Sequence, residues 1–102
     1  MLHVIATVTL TAGGLEAWSR AFAAVRPAVL AEDGCEAYEA TVEQPGVLGA
    51  QSPLPADTVV IVERWRDAAA LQAHSTAPHM TAYRAAVKPV VKSVAIHVLR
   101  PL

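Results

Sequence analysis

The chain contains no asparagine, a single cysteine, and no run of about eighteen apolar residues free of charge or proline. Without such a run, no segment reads as a membrane-spanning helix. Without a second cysteine, Cys35 has no intrachain disulfide partner, and a cytoplasmic protein is the natural reading. The N-terminal stretch "MLHVIATVTL" lacks a basic region followed by a continuous apolar core, so it reads as a strand and not a secretion signal. Net charge is -1 and the pI about 6.4. There is no basic patch of the kind nucleic acid needs, no glycine-rich phosphate loop, no repeat and no low-complexity segment. Between Arg26 and Arg64 there is no Lys or Arg, while Glu32, Asp33, Glu36, Glu39, Glu43, Asp57 and Glu63 fall in or beside that interval. Such a stretch reads as solvated loops and strand edges.

What the chain does have is apolar surface. Its 102 residues fit one domain, 1–102, yet 54% of them are hydrophobic, 17% are charged, and mean hydropathy is +0.37. A domain this small cannot hide so much apolar surface by itself. Part is expected to be buried against a partner subunit and part to line a cavity.

Periodicity divides the chain into elements. Residues 2–11 alternate, with Leu2, Val4, Ala6, Val8 and Leu10 on one face, and predict a strand that Gly13-Gly14 ends. Residues 15–31 switch to helical spacing through Leu15, Trp18, Phe22, Val25 and Val29. Pro27 is expected to loosen the last turns, and Gly34 is placed to cap the helix. Residues 35–43 alternate again. Residues 44–57 carry three prolines and two glycines and predict a long loop, either a lid or a plain connector. Residues 58–66, "TVVIVERWR", are a strand with Val59, Ile61, Glu63 and Trp65 on one face; both faces begin apolar, so both are expected to be covered, one by helices and one by a second sheet. Asp67 caps a short helix. Pro78 opens another, about 78–91, and 93–99 form the last strand. The order β-α-β-β-α-β, with its second helical region split, predicts an α+β, ferredoxin-like antiparallel sheet with helices on one face. The bare face would then pair with a second copy.

Three motifs occur in order: E-x-G-C-x-x-Y at Glu32–Tyr38, E-x-W at Glu63–Trp65, and H-x-x-x-P-H-M-x-x-Y at His74–Tyr83. Together they make nearly the whole chain resemble the antibiotic biosynthesis monooxygenase family, most closely its quinol monooxygenase branch. That resemblance implies a dimeric α+β barrel with a pocket between sheet and helices in each subunit. It also implies oxidation of a small aromatic diol or quinol by O2 with neither metal nor flavin. A deprotonated hydroquinone gives up an electron readily, so the protein need supply only a base, a dry pocket and donors for the developing anion.

Several residues suit these roles. His74 and His79 are candidate bases. A spacing of five turns them apart on one helix, but the break before Pro78 lets both approach one site; the competing reading is that one brackets the junction and the other faces solvent. Glu63, set among Val59, Ile61 and Trp65, is expected to be partly buried with a raised pKa, orienting a histidine, acting as a base, or paired with Arg84. Trp65 offers a flat wall for an aromatic substrate, or ordinary core packing. Tyr38 and Tyr83 offer hydroxyls to a substrate oxygen, or are large core residues. Two histidines and a glutamate match the ligand count of an iron facial triad, but "HSTAPH" is not a usual ligand spacing and no metal is expected. Cys35 reads as a small buried hydrophobe.

The missing asparagine now excludes one relative. Haem-degrading members of the family use an Asn with a Trp and a His, and here Thr7 or Thr9 stands in the first-strand position. An isomerase branch acting on a phosphorylated sugar derivative shares an H-x-x-T-P-H stretch, in which Ala77 replaces the threonine here; Arg64, Arg66 or Arg84 would have to meet its phosphate. Three readings therefore stand: a cofactor-independent monooxygenase or oxidase, an isomerase on the same scaffold, and a non-catalytic dimer that binds an apolar ligand.

Overall fold

The computed structural model describes residues 1–102. Strand β1 (Leu2–Leu10) is followed by helix α1 (Leu15–Leu30), strands β2 (Cys35–Thr41) and β3 (Thr58–Trp65), helices α2 (Ala68–Thr76) and α3 (Pro78–Val87), a 3-10 turn at Lys88–Val90, and strand β4 (Val91–Leu99). The four strands form one antiparallel sheet in the order β2-β3-β1-β4. This is the ferredoxin-like α+β arrangement that the element order predicts.

The alternation in β1 and β3 decides which face is dry. Val4, Ala6 and Val8 lie opposite Glu63, Ile61 and Val59, and all are buried beneath the helices. Helix α1 adds Trp18, Phe22, Val25 and Val29 to that layer. Fully burying each large side chain contributes about 1.5–3 kcal/mol, so this single inner face supplies most of the cohesion. Leu15, expected to begin the helical stripe, is 47% exposed instead, at the first residue of α1. Pro27 does not end α1, which runs on to Leu30; the proline's carbonyl still accepts from Ala31 N at 3.1 Å.

Gly34 is not the cap of α1, whose C-cap is Ala31. It stands in the turn before β2 with φ +83°, where a Cβ would come 2.6 Å from Ala70 Cβ. The need for glycine is therefore set by the close approach of α2. The expected boundaries at 43 and 66 are trimmed by one or two residues, and β4 starts at Val91, directly after the 3-10 turn into which α3 tightens at Pro89.

The sheet's two outer rows fare differently. On the face away from the helices no second sheet covers it within the chain: Val60 is half-buried and Val62 and Arg64 are exposed. Strand β4 reaches past the helices, so Val94, Ile96 and Val98, which share the inner face, remain 51%, 64% and 52% exposed. No helix is long and apolar enough to cross a membrane.

Candidate active site

Strand alternation carries Glu63 to the inner face between Ile61 and Trp65, where it is 5% exposed. Burial pushes its carboxyl pKa up, and the nearby Glu32 adds to the rise; the Trp65 indole and His74 pull the other way. Trp65 Nε1–H donates to Glu63 Oε1 at 2.9 Å. Tyr38 of β2 lies directly across from Glu63.

Helix α2 is started by Asp67, whose Oδ1 accepts from Ala70 N at 2.9 Å. It delivers His74 over the sheet, with the imidazole 4.5 Å from the Trp65 ring and edge-on to Tyr38 at 5.5 Å. On one helix His74 and His79 would point about 140° apart. The chain instead turns extended at Ala77 (φ -62°, ψ 140°) and restarts at Pro78. Both imidazoles consequently meet one oxygen: Glu32 Oε2 is 2.9 Å from His74 Nδ1 and 2.8 Å from His79 Nε2.

A carboxylate only accepts hydrogen bonds. With Glu32 ionised, the protons sit on Nδ1 of His74 and Nε2 of His79, which leaves Nε2 of His74 facing Glu63 Oε1 at 4.0 Å. The four groups form a file, and their side chains become less buried along it: Glu63 6%, His74 7%, Glu32 12%, His79 30% exposed. The histidines and Glu63 do not converge as a facial triad, since each histidine turns a nitrogen to Glu32. Arg84 is not the partner of Glu63: its Nη2 donates to the Ser75 carbonyl at 2.7 Å. Cys35 packs at the rim of the core, and burial pushes its thiol pKa up, away from nucleophilic use.

Beside this file lies a cavity of about 460 Å³ between the inner sheet face and α3, open along β4. Tyr38, Tyr83 and Arg84 are in its wall, with Ile61, Met80 and Ile96 among the apolar residues. His74, His79, Glu63 and Trp65 are not. The sequence leads one to expect a histidine and the tryptophan at the pocket surface. Instead Glu32 holds both imidazoles, His74 against Tyr38 and His79 beside a separate hollow between α1 and α3, and Trp65, fully buried, packs against His74. Tyr38 belongs to both: it is in the cavity wall and its ring meets His74 edge-on. Phe22 stacks on Tyr38 at 5.2 Å and Trp18 on Phe22 at 5.1 Å, which fixes the tyrosine plane from α1.

Burial pushes the Tyr38 hydroxyl far above the ordinary phenol range, and Glu63 reinforces it. Burial also pushes Tyr83 up to about 12, against the Trp18 indole and the Arg84 charge. Both are hydrogen-bond donors at any physiological pH. Glu32 is the residue that sequence reasoning assigned no role. Its only signal was its place at the head of E-x-G-C-x-x-Y, next to a turn that folds it back over α2.

The family model for antibiotic biosynthesis monooxygenases matches residues 1–86. An Escherichia coli (strain K12) protein named probable quinol monooxygenase YgiN is 39% identical over 103 residues, covering 99% of this chain and 98% of that one. Among solved structures, Rv0793 from Mycobacterium tuberculosis superposes with a TM-score of 0.80 at 30% identity, covering 99% of this chain and 94% of its own. PA3566 from Pseudomonas aeruginosa gives 0.80 at 28% identity, with 99% and 93% covered.

Proposed function

The chain belongs to the antibiotic biosynthesis monooxygenase family, and on that premise we propose that it oxidises a small aromatic diol or quinol with O2, using no metal or flavin. The observation that carries this reading is the double position of Tyr38, in the wall of an apolar cavity and against His74. The 39% identical relative named a probable quinol monooxygenase supports the choice of substrate.

The ring of the diol enters from the open β4 side and lies among Ile61, Met80 and Ile96. The Tyr38 and Tyr83 hydroxyls donate to its oxygens. They stay protonated, so they stabilise the quinolate without competing for its proton. Loss of a phenolic proton raises the electron density of the ring, and O2 then accepts an electron from it. That proton goes to the Glu63–His74 pair behind Tyr38. His74 takes it up on Nε2, and Glu32, which accepts from Nδ1 of His74 and Nε2 of His79, balances the charge of the imidazolium that forms. Two outcomes balance. Insertion of one oxygen atom yields a hydroxyquinone and water; transfer of two electrons and two protons to O2 yields the quinone and hydrogen peroxide.

The protein acts as a cytoplasmic homodimer whose two sheets close a barrel through their outer faces. Val62, 38% exposed in the single chain, and the half-buried Ile5 and Val60 are apolar residues on that face in need of cover.

The test is O2 uptake on adding an anaerobically prepared naphthoquinol, with autoxidation subtracted, followed by mass analysis of the product formed under 18O2. Uptake above autoxidation with one 18O in the product identifies a monooxygenase, and uptake with peroxide and no label an oxidase. A rate no greater than autoxidation for a panel of quinols removes the reading.

A further inference from the structure

The cavity wall contains two cations and no acid. Of its twelve lining residues ten are hydrophobic, and the other two are Arg84 and Lys88, one helical turn apart at the end of α3. Three arginines find carboxylates, Arg20 with Glu16, Arg64 with Glu36, and Arg66 with Asp33 and Asp67, and Arg26 donates to the Tyr38 carbonyl. Arg84 and Lys88 have no carboxylate within 4.0 Å. One nitrogen of Arg84 is occupied by the Ser75 carbonyl, which holds the guanidinium in place while its remaining donors stay unused. Its charge already acts on the neighbouring Tyr83 hydroxyl.

Resting on the diol-oxidising reading, we infer that the substrate of this cavity carries an anionic substituent: it is an aromatic hydroxy acid, whose carboxylate is bound by Arg84 and Lys88. The layout gives it one orientation. Arg84 reaches back to the Ser75 carbonyl and Lys88 stands where α3 gives way to β4, so both cations lie along the α3 wall, while Tyr38 and Ile61 belong to the sheet wall. A ring placed with its hydroxyl at Tyr38 therefore points a substituent at the α3 wall. An apolar pocket alone accepts any flat ring. A carboxylate anchored at one end selects among rings and fixes which hydroxyl meets the base. Anions of other kinds, a sulfonate or a phosphate ester, present the same charge but differ in shape, and the experiment separates them.

The test needs no turnover. Binding of 6-hydroxy-2-naphthoate, whose hydroxyl and carboxylate lie at opposite ends of the ring system, and of its neutral carboxamide is measured by titration calorimetry at low salt, with wild type, Lys88→Gln and Arg84→Gln. The acid is expected to bind about tenfold more tightly than the amide, the value of one charge-assisted hydrogen bond. Each substitution should reduce that preference several-fold, and raised salt should reduce it in wild type. Equal affinity of acid and amide overturns the inference, and so does a preference that survives both substitutions. A naphthalene sulfonate or naphthyl phosphate that outcompetes the acid overturns the choice of carboxylate. These results leave the diol-oxidising reading intact, because that reading is judged by O2 uptake with a neutral quinol. Far-UV circular dichroism of both variants confirms that a lost preference is not lost folding.

Discussion

Glu32 Oε2 lies 2.9 Å from His74 Nδ1, a contact between residues 42 apart in sequence that ties the turn after α1 to the middle of the helical layer. Removing the carboxylate leaves a buried imidazole N–H without an acceptor, at a cost of about 1–3 kcal/mol. Glu32→Ala is expected to lower the free energy of unfolding, read from urea titration, by that amount. Glu32→Gln keeps an acceptor oxygen but has no charge to balance an imidazolium, so it should fold nearly as well as wild type and lose tenfold or more in quinol turnover. Equal turnover by Glu32→Gln and wild type would remove Glu32 from the acid–base machinery.

Glu63 makes stability depend on pH with a defined sign. Its folded pKa lies above the ordinary 4.5, because burial disfavours the carboxylate. The folded state therefore holds that proton more tightly than the unfolded chain. The stability it contributes is present in full below pH 4.5 and is lost as pH rises through the folded pKa. Glu63→Gln should flatten the fall in stability on the alkaline side of pH 4.5, as read from urea unfolding at a series of pH values. A fall as steep as in wild type would mean that another group is responsible.

Trp65→Phe keeps a ring against His74 but deletes the indole N–H that reaches Glu63. Since the glutamate is buried, the lost bond is expected to cost about 1–3 kcal/mol. It should also raise the Glu63 pKa further, because a hydrogen bond to the charged form is gone. Carbon-detected NMR titration of the Glu63 carboxyl reads that shift directly.

Gly34→Ala places a side chain where φ is +83° and a methyl 2.6 Å from Ala70 Cβ. The left-handed conformation alone costs a non-glycine residue roughly 1–2 kcal/mol. Thermal unfolding should show the single variant well below wild type. Gly34→Ala with Ala70→Gly should recover the part due to the clash and not the part due to φ.

Val62→Arg puts a charge on the uncovered sheet face without touching the core. Sedimentation equilibrium is expected to show a dimer for wild type and a monomer for the variant. A wild-type monomer at tens of micromolar would remove the barrel assembly.

The fold is legible because β1 and β3 alternate cleanly and α1 keeps one apolar stripe, so the period changes mark the elements. Glu63 was legible for the same reason: a lone carboxylate in a row of Val59, Ile61 and Trp65 has nowhere to go but inward. Two things were hidden. Glu32 lies in a turn, where periodicity carries no information about direction, so its bond to both histidines could not be read from spacing. The reach of β4 beyond the helices is a matter of packing, which is why the cavity opens beside Val94 and Ile96 while His74 and Trp65, expected at its surface, lie behind Tyr38. The break at Ala77 and Pro78 was legible as a break; where it sends His79 depends on Glu32.

The measurement that bears most directly on the central claim is quinol-dependent O2 uptake by the His74→Ala, His79→Ala double variant beside wild type, with autoxidation subtracted and folding checked by circular dichroism. The expected result is uptake by wild type and none by the folded double variant. A double variant as fast as wild type would contradict the claim that the proton of the quinol is taken up by the His74–Glu32–His79 file.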